Sequence, residues 1–310
     1  MKDRVRIDRD IAGEVFYFAI ADGEEAKSLG SMSQLWNSLG AAGFTRSDLI
    51  VGIGGGAVTD AAGFSAAAWL RGIDWVAVPT TVAGMVDASI GGKTGINSLY
   101  GKNLIGAFHS PNAVLIDMSW LHTLSDRDFA AGMAEVIKCG FIADKRVLDL
   151  LKGESLSSLR ADQDRVIALI EAAVEIKARV VSTDFKESYA REVLNYGHTL
   201  GHAIEIHSGY TLRHGEAISI GLVFAAELAE INGSLSSEIV ELHRVLLTSL
   251  GLPITYPRAM WSELLPLLAL DKKSRGAMIR FVAISAVGET LRIEAPTQAQ
   301  LQLAYERISS

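Results

Sequence analysis

The chemistry in this sequence is concentrated in Leu194-Asn195-Tyr196-Gly197-His198-Thr199-Leu200-Gly201-His202-Ala203-Ile204-Glu205, closely followed by Arg213-His214-Gly215-Glu216. His198 and His202 stand four apart, so on a helix they share one face, one turn above the other. His214 follows after a short loop containing Gly209. Three imidazoles with nearby carboxylates in one helix-loop-helix can supply the donors of a divalent metal site. The same spacing also suits hydrogen-bonded core histidines, so the metal reading needs support from elsewhere in the chain.

Other chemistry-bearing positions are scattered. Gly54-Gly55-Gly56 with Asp60 follows an apolar run and opens a small-residue helix, a geometry that offers backbone N–H groups to a phosphate. Read from Gly52 to Ala57 it approximates a dinucleotide fingerprint, though tight turns use the same glycines. Val86 to Phe108 is too glycine-dense for a regular element, and Asp87, Lys93, Lys102 and Asn103 punctuate it. Its apolar residues (Ile90, Ile96, Leu104, Ile105, Phe108) predict a packed functional loop. Glu135 and Lys138 sit at i, i+3 between apolar neighbours, either as a surface pair or, if buried, as a carboxylate ligand and an anion partner. Lys177 and Arg191 read as surface cations when taken alone.

The elements that must position these groups divide into two halves. Glu14–Ile20, Asp48–Ile53, Asp74–Val78 and Ala113–Asp117 read as strands, with helices over about 28–42 and 61–70. The Asp48–Ile53 run is nearly continuous in apolar residues, which suits the middle of a parallel sheet. Beyond Leu124 the periodicity is helical over 127–142, 144–152, 162–182, 190–206, 214–231, 236–250 and 258–268, with a small hairpin from Met278–Ile284 and Thr290–Glu294. An incomplete, Rossmann-like α/β domain over residues 1–122 and a mostly helical domain over 123–310 are expected.

Composition narrows the function classes. The 310 residues carry a net charge of −7, with 49% hydrophobic and 21% charged residues, which fits a globular protein and disfavours nucleic-acid or anionic-membrane partners. Cations for an anionic substrate must therefore be gathered locally. A single cysteine, Cys139, allows no internal disulfide and fits a reducing cytoplasm. Met1 to Asp8 is charged rather than signal-like, and no apolar run reaches the ~20 residues of a membrane span.

Taken in order, these motifs and several others resemble 3-dehydroquinate synthase, from about residue 15 to the end. They are Asp22-Gly23-Glu24, Gly54-Gly55-Gly56, Pro79-Thr80-Thr81, Val86-Asp87 through Gly91-Gly92-Lys93-Thr94-Gly95, Gly101-Lys102-Asn103 and Gly106-Ala107-Phe108. Ala134-Glu135-Val136-Ile137-Lys138, the histidine stretch, His214-Gly215-Glu216-Ala217 and Asp271-Lys272-Lys273 complete the series. The resemblance implies an active site between two domains, with Glu135, His198 and His214 holding a zinc or cobalt ion and His202 on the substrate side. It implies NAD contacts at Glu24, Lys27, Gly55, Gly56, Asp60, Thr80, Thr81, Lys102, Asn103, Thr123 and Leu124. Substrate contacts would fall on Asp87, Lys93, Lys138, Lys177, Arg191, Asn195, His202 and Lys272 or Lys273. Arg71 would come from the second subunit of a homodimer.

The implied reaction turns a heptulosonate phosphate into dehydroquinate by transient oxidation, phosphate elimination, re-reduction and aldol closure. Related sugar-phosphate cyclases and metal-dependent polyol dehydrogenases share many of these features, and a non-catalytic remnant is a third reading. The front of the chain departs from the family. Only about thirteen residues precede Glu14–Ile20, where the family has a strand–helix–strand unit with a ribose-binding Asp. Weaker NAD binding than in a full-length relative is expected, with calorimetry as its check.

Overall fold

The structure, a computed structural model, describes residues 13–275 and 279–310, with the side chains of 269–275 outside the description. Helix α1 spans Leu29–Ala41, and strand β1, Leu49–Gly54, leads through Gly55 into α2, Gly56–Ala68. Strand β2, Asp74–Pro79, lies parallel to β1, and a crossover through α2 makes that arrangement possible. Ala77 and Trp75 on β2 and Ile50 on β1 bury against Leu39, Ala62 and Ala66, so α1 and α2 cover this face.

Several expectations are corrected here. Glu14–Ile20 pairs with no strand among the described residues, and Val15, Phe16, Tyr17 and Phe18 stay exposed. Aromatic and β-branched residues favour strands, but a ladder needs a partner. Consequently β1 is an edge strand of the described sheet, with Leu49 and Val51 exposed, and β2 takes the middle. Helix α2 starts at Gly56, well before residue 61, because the glycine turn itself forms its N-terminus.

The glycine-dense stretch is also more regular than expected. A π-helical turn at Gly84–Ala88 is followed by β3, Lys93–Ser98, and β4, Gly101–Phe108, which form an antiparallel hairpin. Ile96 is fully buried with Met32, Leu35 and Ala61, so apolar side chains among the glycines anchor the ladder. Strand β5 is only Ala113–Val114, where Ala113–Asp117 was expected.

The remaining chain is helical apart from one hairpin. Helix α3 (Asp126–Ala143) is followed by α4 (Lys145–Leu151), α5 (Leu156–Ala161) and α6 (Gln163–Thr183). The expected 190–206 helix is broken. A 3-10 turn, Ala190–Asn195, ends at Tyr196, and α7 runs His198–His207 after Gly197 at φ +80°. Then come α8 (His214–Ile231), α9 (Ser237–Ser249) and α10 (Trp261–Arg275). Strands β6 (Arg280–Ala286) and β7 (Glu289–Glu294) form the hairpin, and α11 is Gln298–Arg307. The expected hairpin start at Met278 lies outside the described residues. Among those described, no helix is long and apolar enough to cross a membrane.

Helices α3 and α8 are buried almost throughout, as befits helices apolar on every side. Their close packing depends on two glycines. A Cβ at Gly215 would lie 1.7 Å from the Ala131 carbonyl oxygen, and one at Gly221 1.9 Å from that of Gly197. These contacts bring α8 against α3 and α7, the helices that carry the candidate ligands. Gly221→Ala is expected to destabilise the protein by about 1–3 kcal/mol or more. Gly30→Ala, at an exposed α1 position with only Ser28 Oγ near (3.8 Å), should stabilise by about 0.5–1 kcal/mol. Denaturant midpoints of the two variants check both signs.

Candidate active site

The buried run Phe129–Ile142 of α3 contains two charges, Glu135 and Lys138, each 2% exposed. They stand one turn apart, and Lys138 Nζ donates to Glu135 Oε2. Burial alone would raise the Glu135 pKa, but Lys138, His214 and His198 hold it well below the carboxylate range. The other oxygen, Oε1, is buried and accepts no hydrogen bond. It faces His198 Nε2 at 3.6 Å from α7 and His214 Nε2 at 3.4 Å from α8.

Donor atoms of Glu135, His198 and His214 all lie within 4.8 Å of one another. Two bonds to one zinc-sized cation span about 4–5 Å at most, so a single ion can reach all three. His198 Nδ1 faces the Tyr196 carbonyl at 3.1 Å, and His214 Nδ1 faces Glu205 Oε2 at 3.1 Å. Each Nδ1–H donates away from the centre, which leaves each Nε2 aimed at the oxygen without a partner. Burial and Lys138 drive the His198 pKa far down. At His214 burial acts the same way, but the carboxylates of Glu135 and Glu205 outweigh it and raise the pKa to about 10. A group that retains a proton against burial has the electrostatics of a cation site, and a divalent metal displaces that proton. These residues fit a metal.

The pairing suggested by spacing alone, His198 with His202, is not the tightest group. His202 is exposed, its ring 5.2 Å from His198 and 6.0 Å from His214, and it forms a looser group with Glu205 and His214. In that second group His214 Nδ1 is already committed to Glu205.

Around the centre lie most of the expected cations. Buried Lys177, on α6, donates to the Asp87 carboxylate and backbone oxygen on the π-helical turn. Burial would raise the Asp87 pKa, yet Lys177 brings it down to about 2. Arg191 is buried and donates to the carbonyls of Gly91 (3.1 Å) and Phe185 (2.8 Å). Lys93 pairs with Glu187, which also accepts from Asn195 Nδ2 at 2.9 Å. Lys102 lies 3.8 Å from Glu205 Oε1 and 3.8 Å over the Tyr210 ring, so β4 reaches α7.

The expected cofactor contacts also assemble in part. Lys27 Nζ donates to Asp60 Oδ2 at 2.7 Å and to Asn103 Oδ1, and it lies 3.7 Å from Glu24. Burial raises the Asp60 pKa to about 6 despite Lys27. Thr80 N–H donates to Gly54 O at 2.9 Å, and a Cβ on Gly55 would lie 3.2 Å from Thr81 Cγ2, so Gly55, Gly56, Thr80 and Thr81 share the carboxyl ends of β1 and β2. Thr123 and Leu124 close a separate 3-10 turn, Met118–Thr123, with no hydrogen bond to this group. Arg71 is exposed at φ +69° and forms no ion pair among the described residues. The side chains of Lys272 and Lys273 lie outside the described residues.

Two carboxylates at the centre are additions to the expected set. Glu205 orients His214, and its place three residues after His202 on one helix is the signal that points to it. Glu187, at φ +57° in a loop, joins Lys93 to Asn195, and no periodicity marks it.

Comparison with known proteins gives the family. The family models for the N-terminal and C-terminal parts of 3-dehydroquinate synthase match residues 17–131 and 132–274. A 3-dehydroquinate synthase from Thermobifida fusca is 51% identical over 96% of this chain and 80% of that protein. Among solved structures, a 2-epi-5-epi-valiolone synthase from Streptomyces hygroscopicus subsp. jinggangensis, with NAD+ and Zn2+ bound, has a TM-score of 0.87 at 28% identity, covering 93% of this chain and 81% of that one. A 2-deoxy-scyllo-inosose synthase with carbaglucose-6-phosphate, NAD+ and Co2+ has a TM-score of 0.82 at 28% identity over 92% of this chain and 81% of that one. Matched in both halves and sharing half its residues with a relative over nearly its full length, the chain belongs to the 3-dehydroquinate synthase family.

Proposed function

We propose that this chain is a 3-dehydroquinate synthase that converts 3-deoxy-D-arabino-heptulosonate 7-phosphate to 3-dehydroquinate and phosphate. The observation that carries this reading is the convergence of Glu135, His198 and His214 on one point beside buried Lys138 and Lys177. Zinc or cobalt would be held by those three ligands. NAD would lie along Gly55, Gly56, Thr80 and Thr81 toward Lys27, Asp60, Lys102 and Asn103, with Glu24, Thr123 and Leu124 at its margins. When bound, the metal supplies Lewis acidity and NAD supplies reversible hydride storage.

The chain's own residues bind and orient the substrate. Its phosphate and carboxylate require cations that the overall charge of −7 does not provide. Lys93, Lys138, Lys177, Arg191 and, from a second subunit, Arg71 are that local supply, with Lys272 or Lys273 added from α10. Lys93 leaves 49% of its side chain exposed, so its ammonium can exchange Glu187 for an incoming phosphate. Asp87 directs the Lys177 ammonium, Asn195 adds an amide donor, and His202 meets the substrate at the open side of the metal ligands. We place the boundary between the two domains after residue 122, and the protein in the cytoplasm as a homodimer.

A second reading, a related sugar-phosphate cyclase, draws support from the two structural neighbours. Identity of 51% to a dehydroquinate synthase against 28% to those cyclases favours the first.

Purified protein incubated with NAD, zinc and the heptulosonate phosphate should release phosphate and form carbocycle in equal amounts, with no net NADH. Phosphate without carbocycle, or NADH in proportion to product, overturns the assignment. Glu135→Gln and His214→Ala should lose bound metal and more activity than the ~10–100-fold typical of an outer-sphere change. His202→Asn should lose turnover while retaining one metal per chain by elemental analysis, which separates the Glu135 group from the looser one.

A further inference from the structure

Behind the candidate metal centre lies a polar pair that no step of the reaction uses. Tyr196 and His243 are both fully buried, and the Tyr196 hydroxyl lies 2.8 Å from His243 Nε2. His243 Nδ1 lies 2.7 Å from the Ile239 carbonyl oxygen on its own helix, α9. A carbonyl only accepts, so Nδ1 carries the hydrogen and Nε2 accepts from the tyrosine O–H. The imidazole also stacks on Phe141 of α3 with centroids 3.4 Å apart. Both polar ends of the pair are satisfied in an apolar core, and the histidine ring is held between α9 and α3.

Tyr196 stands where this anchoring matters most. It sits between the 3-10 turn and α7, and the α7 ladder begins with the next carbonyl, since Gly201 N–H donates to Gly197 O. The Tyr196 carbonyl is thus outside the helix ladder, and it accepts from His198 Nδ1 at 3.1 Å. That contact sets the tautomer and tilt of the ring whose Nε2 faces Glu135 Oε1. Groups one bond beyond a metal-bound histidine govern its orientation and basicity.

We propose that the buried Tyr196–His243 pair is a positioning device for His198, which fixes the carbonyl that orients this ligand and so sets the metal affinity of the centre. The proposal rests on the reading of Glu135, His198 and His214 as ligands. Cobalt(II) titration of the metal-free protein, followed by visible absorption and chelator competition, tests it without reference to turnover. Tyr196→Phe should bind cobalt about 10-fold more weakly than the unaltered protein and shift its visible spectrum. The double variant Tyr196→Phe/His243→Phe removes both polar partners, so it should regain thermal stability without regaining affinity.

Tyr305→Phe is the control for a general loss of packing. Its hydroxyl is also in the core and donates to the Pro257 carbonyl at 2.8 Å, away from the ligands. It should lower the melting temperature and leave cobalt affinity and spectrum unchanged. The positioning role is overturned if Tyr196→Phe binds cobalt within about twofold of the unaltered protein. Equal weakening by Tyr305→Phe overturns it as well. His198→Ala tests the ligand set separately: cobalt binding abolished there but intact in Tyr196→Phe removes the positioning role and leaves the ligands standing.

Discussion

An ionised carboxylate in an apolar interior is costly unless compensated, and Glu135 places that demand at the centre of the molecule. Everything near it answers the demand. Lys138 neutralises one oxygen from a turn away, and two imidazoles from other helices face the second. The donors are spread over α3, α7 and α8, so this compensation ties three helices together at one point. Breaking such a buried group on one side costs more than it would ever contribute as an isolated pair.

That constraint explains the packing around it. Helices meet at a few side-chain atoms only if their axes approach closely, and Gly215 and Gly221 provide the approach. Polar neighbours then aim the candidate ligands: Glu205 for His214, the Tyr196 carbonyl for His198. Cations from the α/β half reach the candidate site, because the β3–β4 hairpin carries Lys93 to Glu187 and Lys102 to Glu205.

Much of this was legible in the chain. The helical periodicity over 214–231 matched the structure to the residue, because an element buried on all sides has few competing conformations. The histidine stretch supplied His198, which the structure brings together with Glu135 and His214. Local spacing left Glu135 open between a surface pair and a buried ligand, since its partners are distant in sequence, and the ordered set of family motifs favoured the second. Strand pairing was the weakest inference: Glu14–Ile20 has the composition of a strand but no partner among the described residues, whereas the glycine-rich residues 93–108 form a ladder. Both outcomes depend on hydrogen bonds between strands, which composition does not encode. Glu187 was missed because a loop residue with positive φ leaves no periodic trace.

The hairpin has a consequence for how such chains can diverge. Its strands pair regularly from Lys93 opposite Phe108 to Ile96 opposite Ile105, with alternate residues facing opposite sides, and the register then shifts before Ser98 meets Gly101. One residue gained or lost in the regular part, between Lys93 and Ile96, would turn Lys93 over to the wrong side, whereas Lys102 stands in the irregular part beside Asn103 at φ +58°. The tip at Leu99 and Tyr100 is fully solvent-facing and can lengthen without moving either lysine. Length variation in this part of the fold therefore belongs to the tip and the irregular residues beside it, while the regular pairs from Lys93 to Ile96 hold a fixed alternation.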